Sequence, residues 1–298
     1  MSRRKKQNSR RPGPAAPHGF SIVPGPSTRL RVSFAVVDEV TRAADVALGA
    51  IGAMTSETHQ FDIALFVRGL NALKAVRLLT ADGHWEIATA PARQLYELVL
   101  AAEELNRASD RNEAAFRFAK FGLLQTARGA LARIEYDAAT GRPVDDDHRQ
   151  RLEGFLASGP VSEFRTVKGN GKIVWARSWS GKTARELAEA SDHPLRSKQY
   201  ELLFTAWSEE THAAPGALID SIVRRAGDQG FEDVVADDDR NVAEVQAMSL
   251  MLFFELGRLL PDAPDLGSET IEGWVSRLRS WTFEHFGIDE GQAQPSAG

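Results

Sequence analysis

Apolar residues recur three and four positions apart through most of the chain, the spacing that gathers them on one face of an α-helix. The stretch 30–54 keeps this spacing without proline. After a break at Thr58, His59 and Gln60 it resumes over 61–82, where Ile63, Phe66, Val67, Leu70, Leu73, Val76 and Leu79 make a broad apolar face that requires burial against other helices. Asp82–Gly83 marks a turn. A third period covers 84–107, with Pro91 implying either a kink or a helix start near that residue. A long helix over 111–138 ends at Gly141–Arg142–Pro143, and a shorter one follows over 145–156. A short helix through Ala190 has Ser180 or Thr183 as its cap. Further helices are expected over 196–212, 215–226, 239–260 and 268–286, the Asp-rich run 237–239 opening the third because carboxylates favour the positive helix end.

Between 158 and 183 the helical period disappears and glycine and tryptophan accumulate; Lys168–Gly169–Asn170–Gly171–Lys172 suits a turn between short extended pieces. Residues 1–30 hold five prolines and no sustained period. The pattern therefore predicts an all-α protein, a single multi-helix bundle with a Gly/Trp-rich irregular or small hairpin excursion near residues 158–180. A basic Pro-rich tail over 1–29, a helical domain over 30–287 and a frayed tail over 288–298 are the expected divisions. No parallel-sheet pattern and no GxGxxG loop is present, and Gly181–Lys182–Thr183 lacks the upstream glycines and strand of a phosphate loop.

Composition narrows the chemistry. The 298 residues include no cysteine, which excludes disulfides, thiolate nucleophiles and cysteine-ligated metal sites. The longest apolar runs, 46–54 and 245–254, are far shorter than the roughly 20 residues that span a bilayer. The basic N-terminus has no apolar segment of the kind a secretion signal needs, so a cytoplasmic protein without a membrane partner is expected. Net charge is −5, yet residues 1–11 hold six Arg or Lys and no acid, leaving 30 basic against 41 acidic residues in the remainder. A solubilising arm is the simplest reading of that tail; contact with nucleic acid through it is the less favoured one.

Several side chains are candidates for chemistry. Arg93 and Glu97, four apart in a largely apolar helix, form either a surface salt bridge or a buried pair, which must be hydrogen-bonded if it is to stay charged. Glu209-x-x-His212 has the helical spacing that di-iron carboxylate bundles use twice. Its would-be second copy, Asp145-x-x-His148, follows a helix-breaking Gly-Arg-Pro and reads as exposed, so no metal site and no cofactor is expected. Arg142 and His148 share the Arg-x4–6-His spacing of HEPN-type ribonucleases, but Pro143 stands where those enzymes usually have a polar residue. Trp175, Arg177 and Trp179 make an aromatic–basic patch able to stack on bases or bind an anion, or to cover an apolar gap. The other tryptophans, Trp85, Trp207, Trp274 and Trp281, sit in helical contexts and read as packing residues.

Three short stretches, in order, resemble a widespread, mostly bacterial helical group catalogued as domain of unknown function 5677. They are His84-W-E-I-A-T-A-P-A-R-Q-L-Y-Glu97, Trp179-S-G-K-T-A-R-E-L-Ala188, and Tyr200-E-L-L-F-T-A-W-S-E-E-T-H-A-A-Pro215. The resemblance implies an all-helical fold over about residues 40–225 and singles out Arg93, Glu97, Trp179, Tyr200, Ser208 and His212. It implies no common reaction, although some relatives stand near prokaryotic defence or toxin–antitoxin systems. Two functions remain open from these residues. One is a ligand-sensing or protein-interaction module, with an unknown protein or small ligand as partner and a polar cluster around His212. The other is an RNA-directed or metal-assisted hydrolase.

Overall fold

The computed structural model describes residues 28–51, 57–207 and 231–286. A short 3-10 turn leads into α1 (Arg31–Gly49), followed by α2 (Glu57–Ala81), α3 (Trp85–Arg107), α4 (Arg111–Ala139) and α5 (Asp146–Ala157). The hairpin strands β1 (Arg165–Val167) and β2 (Ile173–Trp175) come next, then α6 (Ala184–Glu189) and α7 (Arg196–Glu201). A π-helical turn, Leu202–Ala206, continues α7. The last two helices are α8 (Phe231–Leu259) and α9 (Ser268–Phe286). The protein is all-α, with the excursion folded as one small antiparallel hairpin in which Arg165 faces Trp175 and Val167 faces Ile173. Among the described residues, no helix is long and apolar enough to cross a membrane.

Helices α1, α2, α3 and α8 enclose the main core. The face read from the sequence of α2 is the one that is buried: Phe66, Leu70, Leu73 and Val76 meet Leu95 and Val99 of α3 and Phe253 and Leu256 of α8 in one cluster. Each such side chain contributes about 1.5–3 kcal/mol relative to exposure. Gly69 brings α2 close to α8, because a Cβ there would lie 2.5 Å from Leu256 Cδ2. A polar seam crosses the same core without loss, since Ser33 Oγ donates to Gln246 Oε1 and Gln246 Nε2 donates to Thr80 Oγ1. A second, smaller cluster of Phe121, Leu124, Val161 and Phe164 lies between α4 and the start of the hairpin. Trp179 packs against both clusters, its ring 5.4 Å from that of Phe118. All four tryptophans assigned to packing are buried.

Three helix boundaries differ from expectation, and one of two alternatives is decided. Helix α2 begins at Glu57, so Thr58–Gln60 is not a break; polar residues are compatible with the first turn of a helix, whose N–H groups have no partner within it. Pro91 lies inside α3, so the helix does not start there, and the proline withholds one hydrogen bond from Ile87. Helix α8 starts at Phe231 and runs through the Asp-rich stretch, where Asp238 accepts a hydrogen bond from Trp85 Nε1 at 3.3 Å. Helix α1 stops at Gly49, short of the expected residue 54. The helix expected over 215–226 lies outside the described residues.

The outer helix α9 is tied to α1 through one carboxylate. Glu39 accepts from Arg277 at 2.6 and 3.1 Å and from Trp274 Nε1 at 3.1 Å. The Arg277 hydrogen bonds outweigh desolvation and hold the Glu39 carboxyl below its usual 4.5. A carboxyl with a depressed folded pKa stabilises above its unfolded value, and that stability is lost as pH falls through the folded value. The melting temperature of the wild type should therefore exceed that of Glu39→Gln by a constant margin above about pH 5.5. The margin should shrink as pH drops below 4.5. Thermal melts across pH 3–7 check this; a margin independent of pH would refute it.

Candidate functional site

Three of the motif residues, Arg93, Glu97 and Tyr200, meet along one edge of α3. Arg93 and Glu97 project from adjacent turns, with Arg93 Nε 3.3 Å from Glu97 Oε1 and both side chains partly open to solvent (35% and 52%). The Arg93 guanidinium lies 3.7 Å over the ring of Phe204, a cation–π contact. Phe204 in turn stacks on Tyr200 at 4.6 Å and 19°, and meets Tyr96 edge-on at 6.0 Å. The π turn makes this possible. Its Trp207 N–H reaches back five residues to Leu202 O, which alters the helical phase between Glu201 and Trp207. Glu97 and Arg93 thus form a surface pair stacked on an aromatic layer.

Beneath that layer lies a charged network that the sequence reading missed. Arg196, at the start of α7, is 1% exposed. Its Nε and Nη2 donate to Glu103 Oε1 of α3 at 3.1 and 2.7 Å, and its Nη1 donates to Glu255 Oε2 of α8 at 2.9 Å and to Gln199 Oε1 at 2.6 Å. Tyr96 Oη donates to the Arg196 carbonyl at 2.7 Å. Burial works against the Arg196 charge, but the hydrogen bonds and charges of Glu103 and Glu255 prevail and hold its pKa above the usual value. Burial also pushes the Tyr96 phenol up, so it stays a neutral donor. His193 Nδ1 accepts from the Leu195 N–H at 3.3 Å, which leaves Nε2 to face Glu255 Oε1 at 3.3 Å.

The charges continue outward in alternation. The second Glu103 oxygen faces Arg107 at 3.5 Å; Arg107 donates to Glu104 at 2.6 Å, and Lys182 beyond the hairpin reaches Glu104 at 2.7 Å. These last groups line a cleft of about 360 Å³ whose far wall is Trp179. Its cations are therefore already neutralised by Glu104 and, for Arg117, by Glu163 at 3.2 Å. Thr183 caps α6 in a reciprocal pair with Glu186, consistent with the expected cap and not with a phosphate loop.

Trp175 and Arg177 stand apart from this network, on the hairpin, between two further grooves of about 470 and 550 Å³. Arg142 donates to Asp137 at 3.1 Å in the turn after α4, and His148 is an exposed residue of the first turn of α5, its N–H capped by Asp145. Ser208, Glu209 and His212 lie outside the described residues. Among the described residues, no group of three or more His, Asp or Glu side chains could hold a metal ion.

Glu255 was findable, as an acid inside the apolar run Met251–Leu256 that must have a partner when buried. Arg196, in an unpatterned stretch after a proline, gave no such signal. Replacing Arg196 by Met removes the guanidinium that Glu103 and Glu255 share and should cost about 3–5 kcal/mol. A Glu103→Gln/Glu255→Gln/Arg196→Met triple variant should recover much of that loss. Urea melts of the three proteins measure both effects; a loss below about 1 kcal/mol in Arg196→Met would contradict the network's role.

Residues 62–231, more than half of the chain and including Arg93, Glu97, Trp179, Tyr200, Ser208 and His212, match the family model described as a family of unknown function, DUF5677. Neither the curated proteins nor the solved structures gave a match. The match spans the stack on α3 and, of the network, Glu103 and Arg196 but not Glu255, and the chain belongs to the DUF5677 family of unknown function.

Proposed function

We propose that this chain is a ligand-sensing or protein-interaction module, with the Arg93–Phe204–Tyr200 stack and the Arg196 network as its structural centre. One observation carries the reading: the ionisable groups of that centre are paired with one another, except for one oxygen, Glu103 Oε2, which is buried beside Arg107 without a hydrogen-bond partner. Glu103 and Glu255 are held by Arg196, both ring nitrogens of His193 face partners, and Arg93 is shared between Phe204 and Glu97. A general base needs a free lone pair within reach of a substrate proton, and a nucleophile needs such a base beside it. The paired groups of this centre fix helices in place, and the lone pair left on Glu103 Oε2 is buried away from solvent, which supports a module rather than a catalyst. Ser208 and His212 belong to the proposal through the sequence, as polar residues that closely follow the buried Trp207. The partner would be a protein or small ligand in the cytoplasm.

Native mass spectrometry of protein purified without added metal tests this reading. The expected result is a chain free of stoichiometric metal, alone or with a co-purified ligand or protein. A retained divalent ion, or hydrolysis of an RNA or ester substrate that His212→Ala abolishes without lowering the melting temperature, would overturn it in favour of a hydrolase.

A further inference from the structure

The hairpin excursion carries a charge opposite to that of the protein. Residues 158–182 contain Arg165, Lys168, Lys172, Arg177 and Lys182 but a single acid, Glu163, in a chain of net charge −5. Glu163 is already taken by Arg117 and Lys120, each at 3.2 Å from α4. The groove of about 470 Å³ between the hairpin and α4 is lined by Arg128, Lys172 and Arg177 together with Trp175 and Gln125. No carboxylate lines it, and none of its three cations has an acidic partner among the described residues. This differs from the Glu104 cleft, whose cations are neutralised.

Shape and aromatic content narrow the ligand. Trp175 and Arg177 line this groove and also the neighbouring one of about 550 Å³, so the end of β2 forms a ridge between two concave surfaces. Lys168 N donates to Lys172 O at 2.9 Å across the hairpin turn, which brings two lysines to its tip. From that tip to Arg177 the cations follow about five residues of extended chain, roughly 17 Å. That is more than one phosphate needs. On the same hairpin the cross-strand pair Val167 and Ile173 stays open to solvent, at 59% and 47%, next to Trp175. Trp175 is half-buried and packed against the Phe121–Phe164 cluster, which holds its indole in place; with the exposed apolar pair and the unpaired cations beside it, the half left open has the requirements for unstacked bases and their backbone. A duplex hides the base faces that Trp175 would stack upon.

We infer that the hairpin–α4 groove is a binding site for single-stranded nucleic acid, with Trp175 as the stacking platform and Arg128, Lys172 and Arg177 as phosphate contacts. The inference gives the module reading above a ligand class and a place to bind it, and it rests on that reading. The contacts address bases and phosphates and leave the 2′-hydroxyl unread, so RNA and single-stranded DNA should bind alike.

Fluorescence anisotropy with the full chain and a labelled oligouridine of about 12 nucleotides provides the test. Trp175→Ala should weaken binding about 5- to 100-fold and Trp175→Phe should restore most of it. An Arg128→Gln/Lys172→Gln/Arg177→Gln variant, altered only at groove-lining cations, should flatten the slope of log affinity against log salt by about 2. A chain with the six basic residues of 1–11 changed to Gln should still lose affinity on Trp175→Ala. Oligodeoxyuridine should match oligouridine, and a duplex of equal length should bind more weakly. The site is overturned if the triple variant keeps the wild-type salt slope, if the duplex binds as tightly, or if replacing the arm alone removes binding. Failure in metal-free, inactive protein would remove the ligand and leave the module. Trp175-dependent shortening of the oligonucleotide would do the reverse, upholding the site and removing the module.

Discussion

One guanidinium holds together parts of the chain that are far apart in sequence. Arg196 is buried between carboxylates of α3 and α8, whose charges offset the cost of burying its own. Helix α7, which carries it, is six residues long, too short to persist unaided. The ion network, the Tyr96 hydrogen bond to the Arg196 carbonyl and the packing of Leu203 and Trp207 are what seat this segment on the bundle.

Everything the motif builds depends on that seat. Because α7 is fixed at Arg196, the π turn that follows presents Phe204 to Arg93 and Tyr200 at a set height along α3. The same carboxylate that receives Arg196 begins the alternation of charge through Arg107 and Glu104 to Lys182, which pins the end of the hairpin excursion. The excursion thus has a neutralised base near the bundle and an unbalanced basic edge facing away from it.

The bundle was legible because long amphipathic helices announce themselves: the α2 face from Ile63 to Leu79 is a repeating signal carried by many residues. Boundaries were less so. Polar residues such as Thr58–Gln60 and the aspartates at 237–239 look alike in the sequence whether they end a helix or lie within one. The hairpin was announced by Asn170–Gly171, and Gly171 does take a positive φ of 77°. At the site, sequence reasoning found Arg93, Glu97 and Tyr200 but not the reason they matter to one another, which is Phe204 turned inward by a π turn. No local pattern encodes that turn. Arg196 was invisible because its two partners lie 93 and 59 residues away.

The small cluster of Phe121, Leu124, Val161 and Phe164 has a consequence of its own. It is a separate centre of cohesion under the outer half of the molecule, joined to the main core by Trp179 and the early turns of α4. Helix α5 has no buried residue, and α4 beyond Ala127 has none either. Cohesion on that scale yields well before the bundle does. Amides of α5 and the hairpin should exchange with solvent deuterium through a local opening that leaves α2, α3 and α8 protected. The protein would then behave as two bodies of unequal firmness on one chain, a rigid block and an adjustable limb.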